Sequence, residues 1–126
     1  MRARARRKSG KKMVGKPRRP SVKELDDICR EYTFKRDDYQ CLRCGKSVGL
    51  QWAHVYSRRY KTVRWNPWGS MCLCSGCHLW WHHNPVDAIK WLELLWGEKR
   101  LAELRLERRA AKPPSAEEVL RMLEAQ

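Results

Sequence analysis

The chain has 126 residues, which gives room for one domain of modest size with a small core that needs additional stabilisation. Its formal net charge is +14, from 28 lysines and arginines against 14 aspartates and glutamates. Such an excess attracts polyanions, and nucleic acid is favoured over an anionic membrane because the basic N-terminal stretch lacks the large apolar residues of an interfacial helix. Charged residues interrupt every hydrophobic segment, which excludes a bilayer span of about 20 apolar residues.

The N-terminal stretch is basic and polar. Residues 1–20 are mostly Arg, Lys, Gly, Pro and Ala, which predicts a flexible, disordered arm that tethers the protein to phosphates; a solvated tail is the alternative. No apolar signal peptide precedes the six cysteines, so we expect a soluble, cytoplasmic protein whose cysteines bind metal in preference to forming disulfides.

The first ordered element is predicted to be a short helix. Ser21 and Glu24 fit a capping box, and the helix should run to about Glu31. Residues 39–50 are rich in turn formers, residues 50–60 are predicted to be extended, and residues 62–68 are the candidate for the returning strand. Residues 74–83 are compatible with a helix.

Three signals predict further helices after residue 83. Asn84 followed by Pro85 is typical of a helix start, and Gly97 or Pro113 should end that helix. Its broad apolar face is predicted to pack on the preceding module and comprises Ala88, Ile89, Trp91, Leu92, Leu95 and Trp96. A second capping box at Ser115 and Glu118 precedes a last short helix with apolar residues Val119, Leu120 and Leu123.

Two Cys-x-x-Cys pairs are the strongest signal in the chain. Their spacing lets four thiolates bind one tetrahedral zinc ion, with the ligands Cys41, Cys44, Cys74 and Cys77. A site with four cysteine ligands has no open position, so this zinc is predicted to be structural. Cys72 is a competing ligand in principle, but we expect Cys29 and Cys72 to be small buried residues.

All four histidines lie inside or directly beside the segment that the cysteine pairs enclose. His78 and His82 are four residues apart, so they share one helix face and are predicted to bind a catalytic divalent ion; ordinary packing histidines are the alternative. His54, on the preceding extended segment, is then placed to act as a general base.

Residues 52–60, residues 63–67 and the Cys74-Ser-Gly-Cys-His78 element together resemble bacteriophage-type HNH endonucleases, over roughly residues 38–85. The resemblance implies an α+β, ββα-metal fold in which two strands and a helix hold a catalytic Mg²⁺ or Mn²⁺ ion at the scissile phosphate. It also implies that His54 deprotonates the attacking water and that His78 binds the ion. The products would be nicks with 5′-phosphate and 3′-hydroxyl ends.

The sequence departs from that family at two positions. Ala53 stands where many members have a metal ligand, and Gly69 stands where the middle asparagine is usual. Asn66 is the candidate catalytic substitute for that asparagine, either fixing the loop or orienting the histidine. His82 is the candidate replacement for the missing ligand, with His83 as an alternative.

Basic and aromatic residues alternate between His54 and Asn66. The predicted DNA contacts are Arg58, Arg59, Lys61 and Arg64. A solvated charged loop is the alternative. Most of the seven tryptophans are expected to fill the core.

The sequence therefore predicts a basic arm at residues 1–20, a zinc-stapled nuclease domain at 21–97 and a helical extension at 98–126. The predicted function is a DNA endonuclease of low sequence specificity. A non-catalytic, zinc-stabilised nucleic-acid-binding module and a packaging accessory protein are the alternatives. The resemblance further implies a phage origin, action in the bacterial host and partnership with terminase large subunit and portal.

Overall fold

The computed structural model describes residues 18–126, so the predicted arm lies outside the described residues except for positions 18–20. Helix α1 spans Val22–Arg36, and both hydrogen bonds of the predicted capping box between Ser21 and Glu24 are present. The helix continues past the predicted end at Glu31 because Thr33 and Phe34 add a further buried turn. Basic residues in the last turn also suit the negative end of the helix dipole.

An antiparallel hairpin follows. Strand β1 spans Leu50–His54 and strand β2 spans Ser70–Cys74, with Leu50 opposite Cys74 and His54 opposite Ser70. The prediction that residues 50–60 are extended holds only as far as His54. The predicted returning strand at residues 62–68 is wrong, since β2 begins at Ser70.

The segment between the strands is a series of turns. Its amides bond to carbonyls three residues earlier, from Tyr60 to Ser57, Val63 to Tyr60, Asn66 to Val63 and Gly69 to Asn66. These bonds consume backbone groups that a strand would need for pairing. The hairpin is therefore short, and a folded loop of turns connects its strands between His54 and Ser70.

Helix α2 spans Ser75–His83, which confirms the helix predicted over residues 74–83, and it follows β2 without a linker. Helix α3 spans Pro85–Trp96 and ends at Gly97, whose φ of +94° favours glycine. Asn84 precedes α3, but its side-chain amide donates back to the Trp80 carbonyl instead of capping α3. Helix α4 spans Glu98–Arg108, and helix α5 spans Ala116–Glu124 behind the predicted second capping box.

The buried side chains form two clusters. One lies between the hairpin, α2, α3 and α4 and includes Met71, Leu73 and Leu92. The other lies between α1 and α5, where Leu25, Trp65 and Val119 meet. The broad apolar face predicted for α3 is buried only at Ala88 and Leu92, while Leu95 remains half exposed, because α3 contacts its neighbours along one edge.

Residues 18–126 thus form an α+β structure with five helices and a two-stranded antiparallel sheet. The order β1, β2, α2 places a short helix directly after the hairpin. Within the described residues, no helix is long and apolar enough to cross a membrane.

Candidate metal centre and histidine cleft

The four cysteines of the two Cys-x-x-Cys pairs converge on one point. The sulfurs of Cys41, Cys44, Cys74 and Cys77 all lie within 4.8 Å of one another. A tetrahedral zinc ion with Zn–S bonds of about 2.3 Å requires sulfurs about 3.8 Å apart. The Cys44 and Cys74 sulfurs are 3.6 Å apart, so this cluster fits a metal such as zinc.

Both pairs have the same local geometry. The amide of Cys44 donates to the Cys41 sulfur at 3.4 Å, and the amide of Cys77 donates to the Cys74 sulfur at 3.5 Å. Such bonds stabilise the thiolate, which is the form that binds metal. The matching Cys-x-x-Cys spacings therefore fold into two matching turns around one centre.

The surroundings of the cluster shift the pKa values of its thiols in both directions. Burial opposes ionisation, but backbone amides of Cys74, Cys44 and Arg43 lower the pKa of Cys41 to about 6. Burial and the three neighbouring thiols raise the pKa of Cys77, against the hydrogen bond from Arg43, which lowers it. The Arg43 guanidinium contacts the Cys77 sulfur at 3.5 Å and lies 3.7 Å from the Trp80 ring centre, where its charge offsets that of the thiolates.

The other two cysteines are buried, as predicted, and lie outside the cluster. Cys29 and Cys72 have no exposed surface. Burial raises the pKa of Cys29 to about 12 and that of Cys72 to about 11, so both remain neutral thiols. Cys72 is not part of the cluster of four sulfurs, which removes it as a competing ligand.

Three of the four histidines line one cleft of about 500 Å³ beside the hairpin. His54 comes from the last position of β1, and His78 and His82 come from α2. Trp52, Trp81 and Arg58 complete much of the wall. A second cleft of about 570 Å³ lies near Trp68 and α4, but neither histidine nor cysteine lines it.

His54 is held in one orientation. Its Nε2 lies 3.3 Å from the Arg64 carbonyl, which can only accept, so Nε2 carries the proton and Nδ1 keeps a lone pair. The Trp52 ring lies 4.2 Å from the imidazole, and its Nε1 donates to the Ser70 hydroxyl at 2.7 Å. The ring is thus fixed by a carbonyl on one side and an anchored indole on the other.

Burial, together with the positive charges of Arg58 and Arg64, lowers the pKa of His54 to about 4. At neutral pH the imidazole is therefore uncharged, as a proton acceptor must be.

His78 and His82 bring two imidazole nitrogens close together on one face of α2. Their Nε2 atoms are 3.1 Å apart. Two nitrogens bound at about 2.1 Å and at a right angle to one ion are about 3 Å apart, so the pair fits a divalent ion. His78 Nδ1 lies 2.7 Å from Gln51 Oε1 on β1, which places the proton on Nδ1 and leaves Nε2 free to ligate. Burial and the charge of His82 lower the pKa of His78.

Gln51 was not predicted from the sequence. Alternate residues of a strand share a face, so Gln51 lies on the same face of β1 as Ala53, next to α2. This alternation was the only feature of the sequence that could have indicated its position beside His78. Ala53 itself is completely buried in the core under α2. Among residues 18–126, no third histidine, cysteine or carboxylate joins His78 and His82 in a ligand cluster.

Asn66 lies in the loop and not in the cleft wall. Its Oδ1 accepts from the Trp68 amide at 2.8 Å, and its amide nitrogen bonds to Glu107. Gly69 closes the same loop so tightly that a Cβ there would lie 2.4 Å from the Val63 carbonyl. A glycine is therefore required at position 69, and Asn66 fixes the loop from three residues earlier.

The predicted DNA contacts separate into two groups. Arg59 and Lys61 are exposed, and Arg58 lines the cleft while bonding to Asp26. Arg64 differs from the predicted phosphate contact: its side chain is only 14% exposed, and both its Nε and Nη2 donate to Asp26. Nothing in the sequence distinguishes Asp26 from the other acidic residues of α1.

No protein-family model, no curated protein and no solved structure matches this chain. What the site does must therefore follow from its own residues and their geometry.

Substitutions of Cys74, which lies in the cluster, and of Cys72, which does not, should have different effects on zinc binding and on stability. We expect Cys74→Ser to lose zinc and to unfold the module, because structural zinc supplies folding free energy. Cys72→Ser should keep its zinc and lose only about 1–3 kcal/mol, the cost of a buried hydroxyl. Elemental analysis and thermal melts measure both effects, and zinc loss confined to Cys72→Ser would contradict this site.

The low pKa of His54 predicts a loss of stability in acid. The unfolded chain binds a proton at His54 below pH 6.5, and the folded chain does so only below about 4. Between these values the unfolded state binds more protons, so stability falls as pH falls. We expect the free energy of unfolding to drop by roughly 3 kcal/mol more than in His54→Gln, whose amide does not titrate.

Denaturant titrations across this pH range measure the difference between the two proteins. Protonation of the cysteine cluster affects both equally and cancels. Parallel pH profiles would show that His54 is not buried as a neutral base.

Proposed function

We propose that this chain is a metal-dependent DNA endonuclease of the HNH type with His54 as its general base. The observation that carries the proposal is the cleft in which a buried, neutral His54 faces the same space as the His78–His82 pair. The cleft belongs to a strand–strand–helix unit whose helix begins within the cysteine cluster. The roles of His54 and His78 are those that the HNH resemblance implies, and His82 is the candidate replacement for the ligand missing at Ala53.

In the proposed reaction His54 accepts the proton of the attacking water. Its Nδ1 lone pair accepts a proton from water, and the resulting hydroxide forms a bond to phosphorus while the bond to the 3′ oxygen breaks. The 3′ oxygen leaves with a proton from solvent, which gives 3′-hydroxyl and 5′-phosphate ends. A phosphate anion in the cleft would raise the low pKa of His54 and so strengthen it as a base.

His78 and His82 would hold the catalytic ion, with Gln51 fixing the His78 ring. Bound there, Mg²⁺ or Mn²⁺ supplies charge stabilisation for the phosphate and the leaving oxygen. Two imidazoles leave further positions for water and phosphate, as these ions commonly require. The buried Ala53 adds nothing to this set.

The basic surface next to the cleft would bind the DNA backbone. Arg59 and Lys61 are exposed on the loop that follows β1, and Arg58 lies at the cleft wall. Contacts to phosphate carry no base information, so we expect weak sequence preference and binding that weakens with salt. DNA is the proposed partner; partnership with phage packaging proteins rests on the resemblance alone.

A nicking assay tests the catalytic role of His54. Supercoiled plasmid incubated with the protein and Mn²⁺ or Mg²⁺ should become nicked, and EDTA should prevent it. His54→Ala should lower the rate by about 10²–10⁴-fold, the usual contribution of a general base, with plasmid affinity unchanged. His78→Ala and His82→Ala should also abolish nicking, whereas His83→Ala, an exposed neighbour, should not.

A non-catalytic nucleic-acid-binding module is the second candidate, and the buried Ala53 favours it because β1 then offers no metal ligand at that position. The same assay separates the two functions. A folded, DNA-binding protein that nicks with neither ion would support the binding module and contradict the nuclease.

A further inference from the structure

Asp26 on α1 joins this helix to the loop of turns after β1. Its Oδ1 accepts from Arg64 Nε at 3.0 Å and from Trp65 Nε1 at 2.8 Å. Its Oδ2 accepts from Arg64 Nη2 at 2.7 Å and from Arg58 Nη2 at 2.9 Å. A carboxylate has about four lone-pair positions, so these four bonds use its full accepting capacity.

The Asp26–Arg64 pair is shielded from solvent. The two side chains are 13% and 14% exposed. Burial would raise the pKa of Asp26, but the hydrogen bonds and charge of Arg64, with Trp65 and Arg58, lower it, so the carboxylate stays ionised. A two-bond arginine–carboxylate pair in such surroundings fixes geometry more tightly than an exposed ion pair does.

Arg64 carries this constraint to His54. Its guanidinium is held by Asp26, and its backbone carbonyl accepts from His54 Nε2 at 3.3 Å. The Arg64 Nη1 also donates to the Arg58 carbonyl at 3.3 Å, and this bond closes the part of the loop between residues 58 and 64. The carbonyl that selects the His54 tautomer therefore belongs to the residue that Asp26 holds.

We infer that Asp26 is a positioning residue for the general base: through Arg64 and Trp65 it fixes the carbonyl that sets the ring orientation and tautomer of His54. The inference rests on the proposed function only in naming His54 as the base. It also assigns Arg64 to the interior of the site, so that Arg58, Arg59 and Lys61 remain as the proposed phosphate contacts.

The test compares Asp26→Asn with Asp27→Asn in the zinc-loaded full chain. Asp27 is the next residue of α1, its side chain is 62% exposed and it pairs with Lys23, so the control removes the same charge from the same helix. Long-range proton–nitrogen NMR of the histidine rings at neutral pH reads the His54 tautomer directly. We expect one Nε2–H tautomer in the native chain and in Asp27→Asn, and a mixture in Asp26→Asn.

The nicking rate gives a second readout. At saturating plasmid, a displaced base should lower it roughly tenfold to a hundredfold in Asp26→Asn relative to Asp27→Asn, which has the same net charge. Arg64→Lys preserves the charge balance but lacks the two-bond fork, so it should also mix the tautomers, and it provides the answer if Asp26→Asn does not fold.

A single Nε2–H tautomer in both Asp26→Asn and Arg64→Lys would overturn the positioning role, whatever the nicking rates. A single tautomer in the native chain and a mixture in Asp26→Asn, in a protein that never nicks DNA, would leave the positioning role standing and refute the nuclease. The two claims therefore fail separately.

Discussion

The convergence of four cysteine sulfurs on one point is the constraint on which the candidate site depends. The second cysteine pair spans the junction of β2 and α2: Cys74 ends the strand, and Cys77 is followed directly by His78. A metal bound to these sulfurs fixes the start of α2 relative to the first pair at Cys41 and Cys44. That attachment, together with the packing of Trp81 in the core, sets the direction of α2 and with it the position of both helix histidines.

Backbone bonds reinforce the same junction. The Leu42 amide donates to the Cys72 carbonyl at 2.8 Å, and the Ser75 amide donates to the Gly49 carbonyl at 3.0 Å. The first bond joins the turn of the first cysteine pair to β2, and the second joins the start of α2 to the residue before β1. A small chain that cannot build a large core gains rigidity from such a centre where its site requires it.

The sequence predicted well those features that depend on local spacing. Both capping boxes, the two cysteine pairs and the helix that carries His78 and His82 follow from residues within four positions of one another. Local rules are reliable here because the interacting groups are neighbours in the chain. The position of β2 was wrong because aromatic residues in 62–68 have strand propensity, whereas their backbone groups are used in successive turns.

Long-range contacts could not be read from the sequence. Asp26 and Asp27 are adjacent and chemically identical, yet one holds Arg64 and the other an exposed lysine. Which of them faces the loop depends on how α1 packs. For the same reason Arg64 was predicted as a phosphate contact, and the part that Gln51 plays beside His78 was missed.

Ion binding to the histidine pair is the central claim, and paramagnetic Mn²⁺ tests it most directly. Added in small amounts to the zinc-loaded, nitrogen-labelled chain, Mn²⁺ should broaden the ring signals of His78 and His82 before those of any other residue. His83, one position further along α2, does not line the cleft, so its ring signals should broaden only at higher Mn²⁺ concentrations. Equal broadening of all the α2 histidines, or broadening only at surface carboxylates, would contradict a divalent-ion site in the cleft.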